Sequence, residues 1–173
     1  MISPREAFKQ RRQSALAPLE VGQTYTYRRT FTEGDVSTFC GVTGDFNPFH
    51  QDEVFARESP FGRRIVPGLL PGSMLTHIGG LLGFLAADMH FDFLAPVYIG
   101  ETVTCVVAVL EKGERRVRCS ARMTNEEGKV VIRASFSGFP TWPRLHPDGA
   151  EKTGNYKSPL PGGKGESPAG AGG

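Results

Sequence analysis

The segment that most constrains the fold is residues 71–88, which are apolar on nearly every side. Pro71 suits the first turn of a helix, where its missing N–H leaves no hydrogen bond unmade. A helix that is hydrophobic all round is a buried helix. Gly79, Gly80 and Gly83 each weaken such a helix by roughly 1 kcal/mol relative to alanine, a cost that close approach of a sheet or ligand would offset. The segment therefore predicts a long, covered central helix.

The second half of the chain predicts a series of strands. In residues 116–124, Val117, Cys119, Ala121 and Met123 alternate with Arg116, Arg118, Ser120 and Arg122. Such period-two alternation is typical of a strand with one buried face and one solvent-facing face. Further strands are predicted at residues 24–31, 91–93, 102–110 and 130–139. One buried helix with an antiparallel meander predicts an α+β domain whose sheet wraps around the helix.

A shorter helix is predicted to follow the first strand. Thr32 and Asp35 resemble a capping box with Asp in place of Glu. Residues 44–48 end that helix in a turn, because they contain glycine, asparagine and proline. Residues 52–58 predict one more short helix, and residues 60–68 a loop.

The length of 173 residues predicts one domain with flanking segments. Residues 1–20 are mixed and polar and predict an extension with at most a short amphipathic turn. The folded domain is expected at residues 21–143. Residues 144–173 are rich in Pro, Gly and Ser and have almost nothing to bury, which predicts a disordered tail.

Charge and cysteine content exclude several classes of protein. Twenty basic residues against eighteen acidic ones give no support for nucleic-acid binding, which needs clustered positive charge. The N-terminus lacks the apolar stretch of a secretory signal, and the apolar run 78–87 is too short to span a membrane. Three cysteines without paired spacing indicate free thiols in a reducing compartment, so a cytoplasmic location is expected. The spacing of His, Cys, Asp and Glu predicts no metal site.

The motif richest in chemistry is residues 43–50, with the sequence TGDFNPFH. It places the carboxylate of Asp45 five residues before the imidazole of His50, across an Asn-Pro turn that can bring the two together. A carboxylate is a base and an imidazole exchanges protons near neutrality, so the pair could hold one water from two sides. On turn chemistry alone, an ordinary turn with a solvated His50 is the simpler interpretation.

Three motifs together resemble the MaoC-like, or hydratase 2, branch of the hot-dog superfamily, which includes R-specific enoyl-CoA hydratases. The first is Gly44, Asp45, Asn47, Pro48 and His50; the second is Ile65, Val66 and Gly68; the third is Phe93, Pro96, Val97, Gly100, Glu101 and Val103. Their order and spacing agree over about residues 20–140. Many family members have a His where this chain has Pro67, a departure that bears on the loop and the substrate range.

The resemblance implies a hot-dog fold and a hydro-lyase that adds water reversibly to a trans-2-enoyl thioester, giving an R-3-hydroxyacyl product. Asp45 would take a proton from the water, His50 would hold that water, and which of them protonates C2 stays open. The backbone N–H of Gly68, at the start of the central helix, would stabilise the negative thioester oxygen.

The expected substrate is an acyl-CoA or acyl-carrier-protein thioester, with no other cofactor and no membrane partner. Substrate-binding roles are predicted for Asn47, Pro67, Leu69 and Arg64, the last through CoA phosphates. His77, on the buried helix, is predicted to be a hydrogen-bonded core residue. The resemblance also implies a homodimer or a dimer of dimers.

Two other functions are compatible with such a fold. A hot-dog thioesterase usually places its carboxylate on or near the central helix, and residues 71–87 contain no acidic residue, which argues against it. A binding protein that has lost turnover would retain the pocket, but intact Asp45 and His50 argue against that.

Overall fold

The computed structural model describes residues 2–141, so the predicted tail at residues 144–173 lies outside the described chain. The helices of the described residues are α1 (Pro4–Leu16), α2 (Glu33–Thr43), α3 (Pro48–Gln51), α4 (Glu53–Arg57), α5 (Leu69–Gly72) and α6 (Met74–Leu81). The strands are β1 (Thr24–Thr30), β2 (Phe84–Phe93), β3 (Thr102–Lys112), β4 (Val117–Thr124) and β5 (Val130–Pro140).

These strands form one antiparallel sheet in the order β1-β3-β4-β5-β2. Consecutive strands β3, β4 and β5 are neighbours, as the predicted meander requires. The turn between β4 and β5 contains Gly128, whose φ of +78° favours glycine. The predicted α+β class with an antiparallel sheet is confirmed.

The core lies between the sheet and α6. The α6 side chains of Met74, Leu75 and Ile78 are buried, and they share one hydrophobic cluster with the inner-face residues of the strands. The four β4 residues predicted to face inward, Val117, Cys119, Ala121 and Met123, are all buried. On the opposite face Arg118 is exposed but Ser120 is buried. The alternation is therefore correct for the inner face and only partly correct for the outer one.

The predicted long helix is wrong in its extent. The segment forms a single turn, α5, then the eight-residue α6, and from Phe84 onward it belongs to strand β2. Gly83 has φ +59°, a left-handed conformation that ends a helix. The apolar residues after Gly83 belong to strand β2. A short apolar run in a sequence is compatible with either a buried helix or a strand.

His77 is not a core residue, contrary to the prediction. It lies on the exposed side of α6, and its ring stacks on Tyr27 of β1 with centroids 3.9 Å apart and planes at 18°. The helix is thus buried on one face only in the single chain, and the stacked pair links α6 to the sheet edge.

The N-terminal segment has more structure than the sequence predicted. Residues Pro4–Leu16 form a helix whose N-cap Ser3 accepts a hydrogen bond from the backbone of Glu6. Leu16 and Leu19 lie in the hydrophobic cluster, so this extension contributes to the core. Its composition is mostly polar because the rest of the helix is exposed. None of the described helices is long and apolar enough to cross a membrane.

Gly79 offers a test of how α6 packs on the sheet. A methyl group there would have its nearest neighbour, Phe84, at 3.9 Å, and Gly79 borders a small apolar void. Gly79→Ala should therefore raise the free energy of unfolding by about 1 kcal/mol, the difference in helix propensity. The measurement is the urea midpoint.

Gly138→Ala is the contrasting variant, because its methyl group would lie 2.1 Å from the carbonyl oxygen of Leu85. Displacing that backbone should lower the free energy of unfolding by more than about 2 kcal/mol. A lower midpoint for Gly79→Ala than for the wild type would contradict this account of the packing.

Candidate active site

The N-terminus of α2 fixes the chain that leads into the site. Thr32 and Asp35 form the predicted capping box: the Thr32 hydroxyl accepts from the Asp35 N–H at 3.3 Å, and the Asp35 carboxylate accepts from the Thr32 N–H at 2.9 Å. Arg29 of β1 also donates to Asp35 at 2.5 Å. The Thr32 backbone hydrogen bond, the Thr32 hydroxyl and the Arg29 cation together lower the pKa of Asp35 below its usual value. The helix is thereby tied to the sheet through one carboxylate.

The C-terminus of α2 turns sharply into the predicted catalytic motif. Gly44 adopts φ +75° and its N–H donates to the carbonyl oxygen of Cys40 at 2.8 Å, which ends the helix. Asp45 follows, and its N–H donates to the Thr43 hydroxyl at 3.3 Å. One Asp45 oxygen, Oδ1, accepts from the Asn47 N–H at 3.4 Å. This contact leaves Oδ2 directed elsewhere.

His50 is held by a different part of the chain. Asn47 caps α3 through its side chain, which accepts from the Phe49 N–H at 3.2 Å, and His50 lies on that single turn. Its Nδ1 is 2.8 Å from the carbonyl oxygen of Ile65. Because a carbonyl only accepts, Nδ1 carries the proton, and in the neutral ring Nε2 has a free lone pair.

The two predicted catalytic side chains face each other. His50 Nε2 lies 3.7 Å from Asp45 Oδ2, with 10% of the His50 side chain and 41% of the Asp45 side chain exposed. That distance is longer than a direct hydrogen bond, which spans about 2.7–3.2 Å. Two acceptors at this spacing can each receive one hydrogen of the same water molecule. The interpretation of His50 as a solvated loop residue is therefore wrong.

Asp45 and His50 line a cavity of about 670 Å³. Thr43 is the one other residue with a polar side chain among its described lining residues. The rest are apolar or glycine, including Phe39, Val66, Phe93, Val97 and Ile132. The size is typical of a ligand site, and the few polar groups converge at one place in it.

The backbone of Gly68 and Leu69 is a further feature of the cavity wall. Both residues line it, and neither N–H donates to a protein acceptor within residues 2–141. Gly68 is the N-cap of the four-residue helix α5 and Leu69 is its first residue. This helix is too short for the helix dipole invoked from the sequence to contribute much. Two residues that line an apolar cavity therefore have backbone N–H groups without a protein acceptor in the described chain.

The remaining predicted residues divide into two groups. Pro67 and Leu69 line the cavity with Gly68, whereas Asn47 and Arg64 do not. The Arg64 guanidinium donates to both carboxylate oxygens of Glu33, at 2.8 and 2.6 Å, and to Glu53 at 3.2 Å. These partners raise the pKa of Arg64. The structure thus gives Arg64 a role in joining α2 to α4, and no place in the cavity.

Two functional contacts were missed at the sequence level. The Ile65 carbonyl that orients His50 is a backbone group, which no residue pattern reveals. Ile65 also forms an isolated bridge with Tyr98, and Val66 donates to the Val97 carbonyl at 2.8 Å. Ile132 of β5 also lines the cavity, whereas the sequence predicted only that it lies in a strand.

Cysteine chemistry is absent from the site. Cys40, Cys105 and Cys119 are free and buried, and burial raises the pKa of Cys105 and of Cys119 to about 12. Thiols of this kind are inert as nucleophiles. Within residues 2–141 no three His, Cys, Asp or Glu side chains are grouped to hold a metal ion.

Comparison with known proteins gives consistent matches. Residues 17–131 match the family model described as a MaoC like domain. The chain is 35% identical over 118 residues to a 3-hydroxybutyryl-CoA dehydratase of Methylorubrum extorquens, covering 66% of this chain and 75% of that protein. It is also 35% identical over 120 residues to an (R)-specific enoyl-CoA hydratase of Aeromonas caviae, covering 66% of this chain and 90% of that one.

A solved structure confirms the fold. The unliganded R-hydratase PhaJ1 from Pseudomonas aeruginosa superposes with a TM-score of 0.69 at 30% sequence identity, covering 84% of this chain and 92% of that chain. The sheet with its inner helix is therefore the hot-dog arrangement that the sequence motifs implied.

The capping carboxylate at the start of α2 predicts a pH-dependent contribution to stability. Asp35→Ala removes the carboxylate half of the capping box and the partner of Arg29, and should lower the free energy of unfolding by about 1–2 kcal/mol at neutral pH. The folded-state pKa of Asp35 is lowered, so its stabilisation is complete above the unfolded-state value near 3.9. It is lost as the pH falls through the folded-state value. Urea unfolding of both proteins across the acidic range measures this, and a difference that stays constant down to the lowest pH would contradict it.

Proposed function

The chain belongs to the MaoC-like domain family, and on that premise we propose that it is a hydro-lyase acting on acyl thioesters. The reaction is the reversible syn addition of water to a trans-2-enoyl thioester, giving an R-3-hydroxyacyl thioester. One observation carries the proposal: the free acceptors of Asp45 and His50 face each other at 3.7 Å in the wall of an apolar cavity.

The geometry supports a specific course for the water. With Nδ1 of His50 committed to Ile65, both Nε2 and Asp45 Oδ2 accept, so the bound water presents its oxygen lone pairs to the substrate. Asp45 removes one proton as the water oxygen bonds to C3, and the C2=C3 electron pair moves toward the thioester carbonyl. The proton then passes from the pair to C2. Because both groups reach the acyl chain from the same side, the addition is syn.

The backbone donors next to the pair can stabilise the intermediate charge. As the electron pair shifts, the thioester oxygen becomes negative, and the N–H groups of Gly68 and Leu69 have no protein acceptor within the described chain. Removal of one oxyanion-hole donor in an acyl-transfer enzyme costs about 2.7–4 kcal/mol of barrier. Gly68 and Leu69 therefore bind the carbonyl oxygen, and Pro67 forms part of the adjoining wall.

The cavity suits an acyl group and part of its thioester arm. Its lining is apolar apart from the polar groups near the pair, and its volume of about 670 Å³ exceeds what a very short acyl chain needs. The expected substrates are acyl-CoA or acyl-carrier-protein thioesters, with the thioester itself supplying the activating carbonyl and no further cofactor. A thioesterase is not favoured, because neither α5 nor α6 contains an acidic residue. The cytoplasmic location stays a prediction.

Asp45→Asn tests the assignment. Loss of the base should lower the turnover of crotonyl-CoA roughly a hundredfold or more, measured as the loss of enone absorbance. Release of free thiol, assayed in parallel, would instead indicate thioester hydrolysis, and binding without either change would indicate a non-catalytic protein.

Asp52→Asn is the matched control for the loss of a carboxylate. Asp52 caps α4 by accepting from the N–H groups of Val54 and Phe55, and asparagine caps helices equally well. Near-normal turnover in folded Asp45→Asn, or an equal loss in Asp52→Asn, would refute the proposed role of Asp45.

A homodimer is part of the proposal. Strand β2 is an edge of the sheet, and the apolar side chains of Leu85, Met89, Phe93 and Leu94 on and after it are exposed in the single chain. An edge that combines unpaired backbone groups with apolar side chains is suited to pairing with another strand. A second copy joined at β2 would extend the sheet and cover these residues.

The oligomeric state can be measured by light scattering after gel filtration. The wild type should have twice the mass of one chain, and Met89→Asp should shift it toward the monomer by placing a charge in the covered patch. Val21→Asp changes a similarly exposed apolar residue next to the opposite edge strand and should leave the dimer intact. A monomeric wild type, or equal effects of both substitutions, would contradict the β2 interface.

A further inference from the structure

Two glycines on α5 and at its start have aromatic rings packed directly over their backbone. A Cβ on Gly68 would lie 2.9 Å from Cε1 and 3.0 Å from Cδ1 of Phe93, and a Cβ on Gly72 would lie 3.2 Å from Cε1 of Phe91. The two residues are one helical turn apart. Neither glycine has a positive φ, so their backbone conformations are open to any residue. A methyl group at Gly68 would require the Phe93 ring to shift, whereas one at Gly72 would require the Phe91 ring to move by only a few tenths of an ångström.

The rings come from strand β2. Phe91 and Phe93 are stacked, with centroids 6.0 Å apart and planes at 13°. Their positions along the strand are fixed by pairing with β5, where Phe91 is opposite Ala134 and Phe93 is opposite Ile132. The pair of rings is therefore a surface of fixed position against which the α5 turn rests.

The α5 turn has little to hold it in place by itself. It contains four residues, and so short a helix is unstable without external packing. Pro67 lies two residues before Leu69, is buried, and has its φ angle fixed by its ring. Its carbonyl oxygen accepts a hydrogen bond from the Leu70 N–H at 2.9 Å. On the sheet side, the ring of Phe93 makes the closest approach to Gly68.

We propose that Phe93 is a positioning residue for the reaction, which sets the direction of the Gly68 N–H because its ring packs against the Gly68 backbone. This inference rests on the proposed function, in which that N–H binds the thioester oxygen. Phe91 packs in the same way one turn further along, at Gly72, a residue that does not line the cavity. The two ring–glycine pairs thus share a packing role, and only the first also sets the position of a donor.

Phe93→Ala and Phe91→Ala form a matched comparison. Misplacing the donor should lower kcat for crotonyl-CoA hydration by roughly tenfold or more in Phe93→Ala, because a transition-state interaction is lost. Loss of the ring from the cavity wall should appear separately, as a rise in KM. Phe91→Ala should lower the urea midpoint by a similar amount but leave kcat within about threefold of the wild type. If Phe93→Ala does not fold, Phe93→Leu, which also removes the ring face, takes its place.

A double-mutant cycle tests the ring–glycine packing itself. Gly68→Ala should lower kcat in the wild-type background, because its methyl group displaces the ring. The same substitution should cost at most about threefold in the Phe93→Ala background, where the space is free. In the corresponding cycle, Gly72→Ala and Phe91→Ala should have non-additive effects on the urea midpoint and independent effects on kcat.

Two results would overturn the inference. One is an equal loss of kcat in Phe93→Ala and Phe91→Ala, and the other is independent, multiplicative effects of Gly68→Ala and Phe93→Ala on kcat. Either leaves the proposed hydratase function intact. A wild-type protein that hydrates no enoyl thioester would overturn both proposals, so the two failures are distinguishable.

Discussion

The hydrogen bond between His50 Nδ1 and the Ile65 carbonyl joins the two halves of the site. His50 belongs to the segment that follows α2, whereas Ile65 belongs to the segment that leads to the Gly68 donor. Ile65 in turn is bridged to Tyr98 beyond the edge strand. One hydrogen bond of 2.8 Å therefore fixes the histidine tautomer, its orientation and its distance from the backbone donors. Without it, the acid–base pair and the donor turn would be positioned independently of one another.

The gap between Asp45 and His50 follows from how each side chain is anchored. Asp45 is held through Oδ1 by the Asn47 N–H and His50 through Nδ1 by Ile65, so in each residue one heteroatom is committed and the other is free. A direct hydrogen bond between the free atoms would favour a charged pair and exclude the water. The observed 3.7 Å leaves no direct hydrogen bond between the two free atoms, so a water molecule can contact both, as the proposed function requires.

Local signals in the sequence predicted local structure well. The Thr32–Asp35 capping box and the left-handed Gly44 are short-range features with their own mechanism, and both are present. The candidate pair of Asp45 and His50 could be named because the two residues lie five residues apart across one turn. Arg64 was assigned to phosphate binding because its partners Glu33 and Glu53 are distant in sequence. The end of α6 was misjudged because residues 78–87 are apolar for two different reasons, first as helix and then as edge strand.

Glycine also shows why pattern alone was insufficient. Gly79, Gly80 and Gly83 all suggested close approach, yet only the backbone at Gly83 requires glycine, and a methyl group at Gly79 or Gly80 has room. The close approach occurs instead at Gly68 and Gly138. Gly68, at the start of α5, faces the Phe93 ring, and Gly138, in β5, faces the Leu85 carbonyl oxygen. Strand β2 thus packs against the donor turn on one side and pairs with the sheet on the other. Because β2 has no strand on its other side in the single chain, the homodimer proposed above would place a partner strand beside the residue whose ring contacts Gly68.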